Sequence, residues 1–175
     1  MRPLSQPLNE LLPAEVILLT HAPILESRII TWPDEAACAA FAQRLSGKPE
    51  LREAYIELHG ALGAGKTTLV RHLLRALGVQ GRIKSPTYAV VEIYHQDGLQ
   101  ISHFDFYRFE NAREWDDAGL RDLFAEPGLK LAEWPQKAAE ALPQPDLRLL
   151  ITVQDEHLRQ VEQQACSPRG VALLS

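Results

Sequence analysis

The run Gly60-Ala61-Leu62-Gly63-Ala64-Gly65-Lys66-Thr67 constrains this chain more than any other stretch of its sequence. It matches GxxxxGK[ST] without a mismatch, and each residue type has a physical reason. Glycines let a backbone loop close around a phosphate with its amides turned inward, and the N-terminus of a following helix adds the positive end of its dipole. Lys66 then reaches the β- and γ-phosphates, and the Thr67 hydroxyl is a Mg²⁺ ligand. The context agrees. Tyr55 to His59 reads as a strand, and the spacing predicts a helix over Lys66 to Leu77, with Leu69, Val70, Leu73, Leu74 and Leu77 in one apolar stripe and Gly78 as its stop. The stretch is read as a nucleoside triphosphate site, with Gly60, Leu62, Gly63, Ala64, Gly65, Lys66, Thr67 and Thr68 around the phosphates.

The rest of the chain supplies the elements for such a site. Arg28 to Thr31 is a strand candidate, and a helix is predicted from Asp34 to Leu45, with Pro33 suited to its first turn and Gly47 and Pro49 ending it. Tyr88 to Tyr94 and Leu99 to Phe106 read as two strands joined across Gln96-Asp97-Gly98. A helix over Arg113 to Phe124 is bent at Gly119. Leu129 to Ala132 is a short strand, Pro135 opens a helix to Leu142, Leu147 to Val153 is a strand, and Val171 to Leu174 is another after a polar connection. Early alternation of strand and helix followed by a central hairpin predicts a three-layer α/β domain of the P-loop NTPase kind, with a mixed, partly antiparallel sheet. Pro3, Pro7, Pro13 and Pro23 recur without periodicity, so residues 1–27 are expected to form an extended arm and residues 28–175 the domain.

Composition narrows the function. Eighteen basic against 23 acidic side chains give a formal charge of -5, the wrong sign for a protein that grips nucleic acid alone through phosphate contacts. Cys38 and Cys166 have neither metal-ligand nor redox spacing, so a disulfide framework and a zinc site are not expected. No apolar run nears the ~18 residues of a membrane span. Glu10 and Glu15 interrupt what would be a signal-peptide core. A cytoplasmic protein with no membrane partner is the simplest expectation.

Two carboxylates complete the candidate site. Asp105 ends the run Leu99 to Phe104, where a Mg²⁺-associated acid belongs; the alternative is a solvated strand-end aspartate. Glu133 follows Leu129-Lys130-Leu131-Ala132, and it either orients water or helps hold a metal, or is an acid favoured by a helix N-terminus. Ser85-Pro86-Thr87 is a nucleotide-sensing loop or a plain turn, and His103 is read as a structural hydrogen-bonding residue. The chain has no NKxD motif, Asp116 to Gly119 fits DxxG only within an acidic helical stretch, and Leu45-Ser46-Gly47 precedes the phosphate loop, the wrong order for a transporter signature. A small-molecule kinase stays open.

Taken together, LHGALGAGKTTLVRHLLRALG, SPTY at Ser85 to Tyr88, HFDFYR at His103 to Arg108, Glu114 and Gly119 in EWDDAGLRDLF, and EWP at Glu133 to Pro135 resemble the TsaE family. These are bacterial P-loop ATPases required for threonylcarbamoyladenosine formation in tRNA, and the order and spacing hold from about Arg28 to Val153. The resemblance implies that Ser85 to Thr87 face the γ-phosphate and that Asp105 is the Mg²⁺-associated carboxylate of a variant Walker B. It also implies that Glu133 and Trp134 act beside the nucleotide. The expected catalytic set is Lys66, Asp105 and Glu133, the metal set Thr67, Asp105 and Glu133, and the ligands ATP and Mg²⁺. The implied partners are TsaB and TsaD, with tRNA met through their complex. Arg108 is the nearest arginine to Asp105 and none lies in SPTY or EWP, so hydrolysis is expected to need partner stimulation. Rival expectations are a small-molecule kinase and a nucleotide-dependent scaffold that does not hydrolyse. The chain departs from the family at Ala61, where an acidic residue is common, and residues 1–27 and Gln154 to Pro168 have no counterpart.

Overall fold

A computed structural model describes residues 23–110, 115 and 119–174. Seven strands form one sheet in the order β1-β7-β6-β2-β5-β4-β3. They are β1 Glu26–Trp32, β2 Tyr55–His59, β3 Val91–Gln96, β4 Leu99–Asp105, β5 Leu129–Glu133, β6 Leu147–Val153 and β7 Arg159–Ala165. β6, β2, β5 and β4 run parallel, while β7, β1 and β3 are antiparallel to their neighbours. The mixed α/β sheet expected from the sequence is therefore present. Because β1 begins at Glu26, it spans the 27/28 division drawn from the sequence. Most of the expected arm, residues 1–22, lies outside the described residues.

Helices α1 (Glu35–Ser46) and α2 (Lys66–Ala76) cover one face. Leu69, Val70, Leu73 and Leu74 of α2 are buried against Leu58, Leu131 and Leu149 of the sheet in one apolar cluster. Each such aliphatic side chain contributes about 1.5–3 kcal/mol on burial. The other face is covered at the β4–β5 end by α3 (Leu120–Ala125) and an aromatic cluster of Phe104, Phe106, Phe109 and Trp115. The short helix α4, Pro168–Leu173, closes the chain.

Several local expectations are corrected. Asp34 is the cap of α1 rather than its first helical residue: its carboxylate accepts from the Ala37 amide at 2.8 Å, so Pro33 lies before the helix. The strand expected from Tyr88 starts only at Val91, because the Val90 amide closes a turn onto the Pro86 carbonyl. The helix expected over Pro135 to Leu142 is a single 3₁₀ turn, Pro135–Lys137. Trp134 before it is left-handed, and two turns of helix are too few to persist without strong packing. Val171 to Leu174 is not a strand but the end of α4, started by Ser167, which accepts from the Gly170 amide, and by Pro168. The polar connection before it holds a full strand, β7, whose Val161, Gln163 and Ala165 alternate inward. Gly119 bends the chain as expected, with φ 64° ahead of α3. The start of that helix at Arg113 lies outside the described residues.

Candidate active site

Parallel strands end at one edge, and this is where open α/β sheets bind ligands. β2 runs into the phosphate loop, β5 ends at Glu133 and β4 at Asp105, and Asp105 and Glu133 are register partners on adjacent strands. Their side chains leave the same face of the sheet as Leu58, the face on which α2 begins. The loop bends as its glycines allow, with φ 78° at Gly63 and 109° at Gly65. A side chain at Gly60 would place its Cβ 2.6 Å from the Ile151 carbonyl oxygen, so that position admits glycine alone.

The side chains converge. The Thr67 hydroxyl lies 2.9 and 3.0 Å from the two Glu133 oxygens and donates to that carboxylate. The buried His103 ring places Nε2 2.9 Å from Glu133 Oε1, while its Nδ1 meets no partner among the described residues. A carboxylate oxygen only accepts, so Nε2 donates there and holds the orientation of Glu133. Asp105 Oδ2 accepts from the Ser85 hydroxyl and, at 2.9 Å, from Thr87 Oγ1, while Oδ1 accepts from the Tyr107 amide at 2.9 Å. Ser85 and Thr87 thus deliver two hydroxyls to Asp105.

Lys66 is almost wholly buried. Its ammonium donates to the carbonyls of Gly60 at 2.7 Å and Ala61 at 2.9 Å and lies 4.1 Å from the centre of the Trp134 ring. Burial lowers its pKa from the ordinary lysine range, against the pull of Glu133 and Asp105. The left-handed backbone of Trp134, φ 57°, turns the ring back over the loop, and Tyr107 packs 5.1 Å from it.

These residues line one cleft of about 300 Å³, with Leu62, Gly63, Gly65 and Thr68 of the loop on one side and Ser85, Thr87 and Trp134 on the other. Lys66, Thr67, Asp105 and Glu133 form its polar floor. Gly60 and Ala64 sit behind the wall: Ala64 is buried and its carbonyl accepts from Arg159 at 3.1 Å. Among the described residues no cluster of three or more His, Cys, Asp or Glu is placed to hold a metal by itself. A hydroxyl and two carboxylates nonetheless fit Mg²⁺, a hard cation that keeps waters and takes one or two carboxylates plus substrate phosphates.

Sequence reasoning missed Tyr107 and Arg159. It also undervalued His103, although a residue two places before Asp105 on one strand must share its face. Cys38 is no candidate nucleophile, because burial and the nearby Glu35 push its thiol up to about 12.

Comparison with known proteins follows the same residues. The family model of the threonylcarbamoyl adenosine biosynthesis protein TsaE matches residues 32–162. The TsaE protein of Haemophilus influenzae is 41% identical over 120 residues, which cover 69% of this chain and 75% of that protein. The Bacillus subtilis TsaE is 38% identical over 96 residues, 55% of this chain and 60% of its own length. The crystal structure of Bacillus subtilis YdiB shares the fold, with a TM-score of 0.67 over 85% of this chain and 91% of that one at 24% identity. With the cleft, the loop and EWP all inside or beside the matched span, the chain belongs to the TsaE family of threonylcarbamoyl adenosine biosynthesis proteins.

Proposed function

We propose that the cleft binds ATP with Mg²⁺ and hydrolyses it, and that the chain does so in the cytoplasm as a component of the tRNA threonylcarbamoyladenosine machinery, stimulated by TsaB and TsaD. The convergence of Lys66, Thr67, Asp105 and Glu133 on one cleft beside a glycine loop carries this reading. The loop amides and Lys66 hold the phosphates, with the ammonium leaving the Gly60 and Ala61 carbonyls for phosphate oxygens. The Thr67 hydroxyl and the Asp105 carboxylate would hold the cation, which would neutralise phosphate charge. Glu133, oriented by His103, is the acid placed to orient water or to complete the cation's shell. Trp134 covers the loop and limits water around Lys66. The unit that carries this activity begins with β1 at Glu26.

The experiment is steady-state phosphate release at saturating Mg²⁺–ATP, with and without TsaB, TsaD and tRNA. Slow release by the chain alone, a rise with the partners, and loss of both in Glu133→Gln are expected. Fast release indifferent to the partners would move the reading to a free-standing ATPase. Release tied to a phosphorylated small acceptor would indicate a kinase, and full tRNA modification by a Glu133→Gln chain that binds but does not hydrolyse would indicate a scaffold.

A further inference from the structure

A turn beyond β4 brings a second base to the mouth of the phosphate cleft. β4 ends at Asp105, and the chain does not run on extended from there. The Phe106 amide donates to the Glu133 carbonyl at 3.0 Å, and the Phe109 amide donates to the Phe106 carbonyl at 2.9 Å. Phe106 and Phe109 are buried in the aromatic cluster with their rings 5.0 Å apart, so both ends of the turn are fixed to the core. Tyr107 and Arg108 form its tip. Tyr107 lines the cleft, and Arg108 lays its guanidinium 4.2 Å from the centre of the Tyr88 ring. Tyr88 follows Thr87, another residue of the cleft wall, and is 84% exposed. We propose that Arg108 leaves Tyr88 to bind the terminal phosphoryl group of the nucleotide and supplies positive charge to its transfer to water, an inference that rests on the nucleotide-binding reading above.

The charge in the cleft calls for such a group. Lys66 is the one base among the described residues that line it, against the two acids Asp105 and Glu133. A Mg²⁺-bound triphosphate remains an anion, and two carboxylates beside it repel it. Arg108 forms no ion pair among the described residues, and a cation resting on an exposed ring is held weakly beside one bound to phosphate. The planar guanidinium also offers two parallel N–H groups to two oxygens of one phosphoryl group, which a lysine ammonium does not.

In hydrolysis the water oxygen bonds to the γ-phosphorus as the bond from that phosphorus to the β–γ bridging oxygen breaks. The electron pair of the broken bond leaves with the β-phosphate of ADP. One water proton stays with the released phosphate, and the other goes to solvent. Negative charge on the γ-oxygens and on the bridging oxygen is what a guanidinium stabilises there, and Arg108 itself moves no proton. While it rests on Tyr88 the guanidinium is outside the cleft, which matches an ATPase that fires only when stimulated.

The test is titration calorimetry with Mg²⁺ and two ligands, ADP and the non-hydrolysable β,γ-imido analogue of ATP. Arg108→Ala should bind the analogue at least about tenfold more weakly and ADP within about twofold of wild type. Lys84→Ala, which removes the base next to Ser85, is the control for general charge and should show no such selectivity. Phosphate release with TsaB and TsaD present should fall roughly 10³-fold in Arg108→Ala. Arg108 is exposed, so the variant should melt with wild type. Should it melt early, phenylglyoxal labelling of the wild-type chain decides, with Arg108 protected by the analogue and labelled in ADP. Equal weakening of both ligands, weakening of neither, equal selectivity in Lys84→Ala, unchanged phosphate release, or Arg108 labelled alike in both nucleotides overturns the Arg108 assignment and leaves the cleft intact. Binding of neither ligand to the wild-type chain overturns the phosphate cleft itself, and the Arg108 assignment with it.

Discussion

Asp105 and Asp146 are both nearly buried carboxylates at the ends of parallel strands, yet they do opposite work. Asp146 sits before β6, at the sheet edge where the parallel strands begin. It accepts from the Tyr55 amide at 2.9 Å and the Ser167 hydroxyl at 2.5 Å, and Arg169 lies 3.3 Å away. Those partners tie β2, β6 and α4 together, and Ser167 in turn caps α4. Asp105 sits at the edge where the strands finish. Two of its three partners are hydroxyls, and among the described residues it forms no ion pair. Each carboxylate accepts from one backbone amide, but Asp146 also faces Arg169 and the serine that caps α4, whereas the other partners of Asp105 are two hydroxyls, which rotate away at small cost. The carboxylate at the start of the strands ties β2, β6 and α4 together, and the one at their end lines the cleft.

The largest expected effect tests the first half of that contrast. Asp146→Ala strands a buried amide and a helix cap, and should cost about 3 kcal/mol of stability, or roughly 6–12 °C in melting temperature for a chain of this size. Arg169 adds little because its side chain is 43% exposed. Triphosphate affinity of the folded fraction should not move. A shift under about 2 °C, or a parallel loss of affinity, breaks the comparison.

Lys66→Ala comes next. Removing a charge-assisted phosphate contact should cost about 1.5–3 kcal/mol of triphosphate affinity, while stability holds or rises because a buried ammonium is gone. Calorimetry and a melt on the same sample check both signs.

Asp105→Asn sharpens the other half. Asparagine keeps the shape and its oxygen can still accept from the two hydroxyls, while its NH2 group cannot accept from the Tyr107 amide, so stability should fall by about 1 kcal/mol, well short of Asp146→Ala. The dependence of nucleotide binding on Mg²⁺ should disappear, so that titrations with and without the cation superimpose. A variant that unfolds like Asp146→Ala would make Asp105 a structural residue after all.

The smallest effect is in pH. Burial depresses the Lys66 pKa, so the ammonium loses its proton below the ordinary lysine value of 10.5. Tripolyphosphate affinity should fall as pH rises through that lowered value, and the slope should vanish in Lys66→Ala. Stability should change the other way. Below the depressed pKa the fold carries the cost of a buried charge, and that cost is relieved as pH rises through it, with Lys130, also lowered by burial, contributing in the same sense. Denaturant melts across the alkaline range read the second effect and titrations read the first.

Elements whose burial is one-sided or complete were legible in the sequence. β2 and β6 are short, mostly apolar runs observed at their expected bounds, and α2 shows its stripe plainly. β7 was not legible, because Gln160, Glu162 and Gln164 line a sheet face on which their polarity is tolerated, and Gln163 is buried as a polar residue. α4 was missed for a different reason: its signal is one serine and one proline, Ser167 and Pro168, and its apolar end reads equally well as a strand.

Within the site, local chemistry by itself determined the phosphate loop, because close approach of a backbone to an anion demands glycines, a lysine and a hydroxyl in one short stretch. The same local logic marked Asp105 and Glu133 as strand-end acids. Only the tertiary structure decided what those acids touch. Strand order set β4 beside β5 and β5 beside β2, which made Asp105 and Glu133 register partners and put Glu133 within reach of Thr67. It also carried β7, about a hundred residues downstream, back to the loop, so that Arg159 meets Ala64. Such pairings depend on which strand lies next to which, and no run of neighbouring residues encodes that.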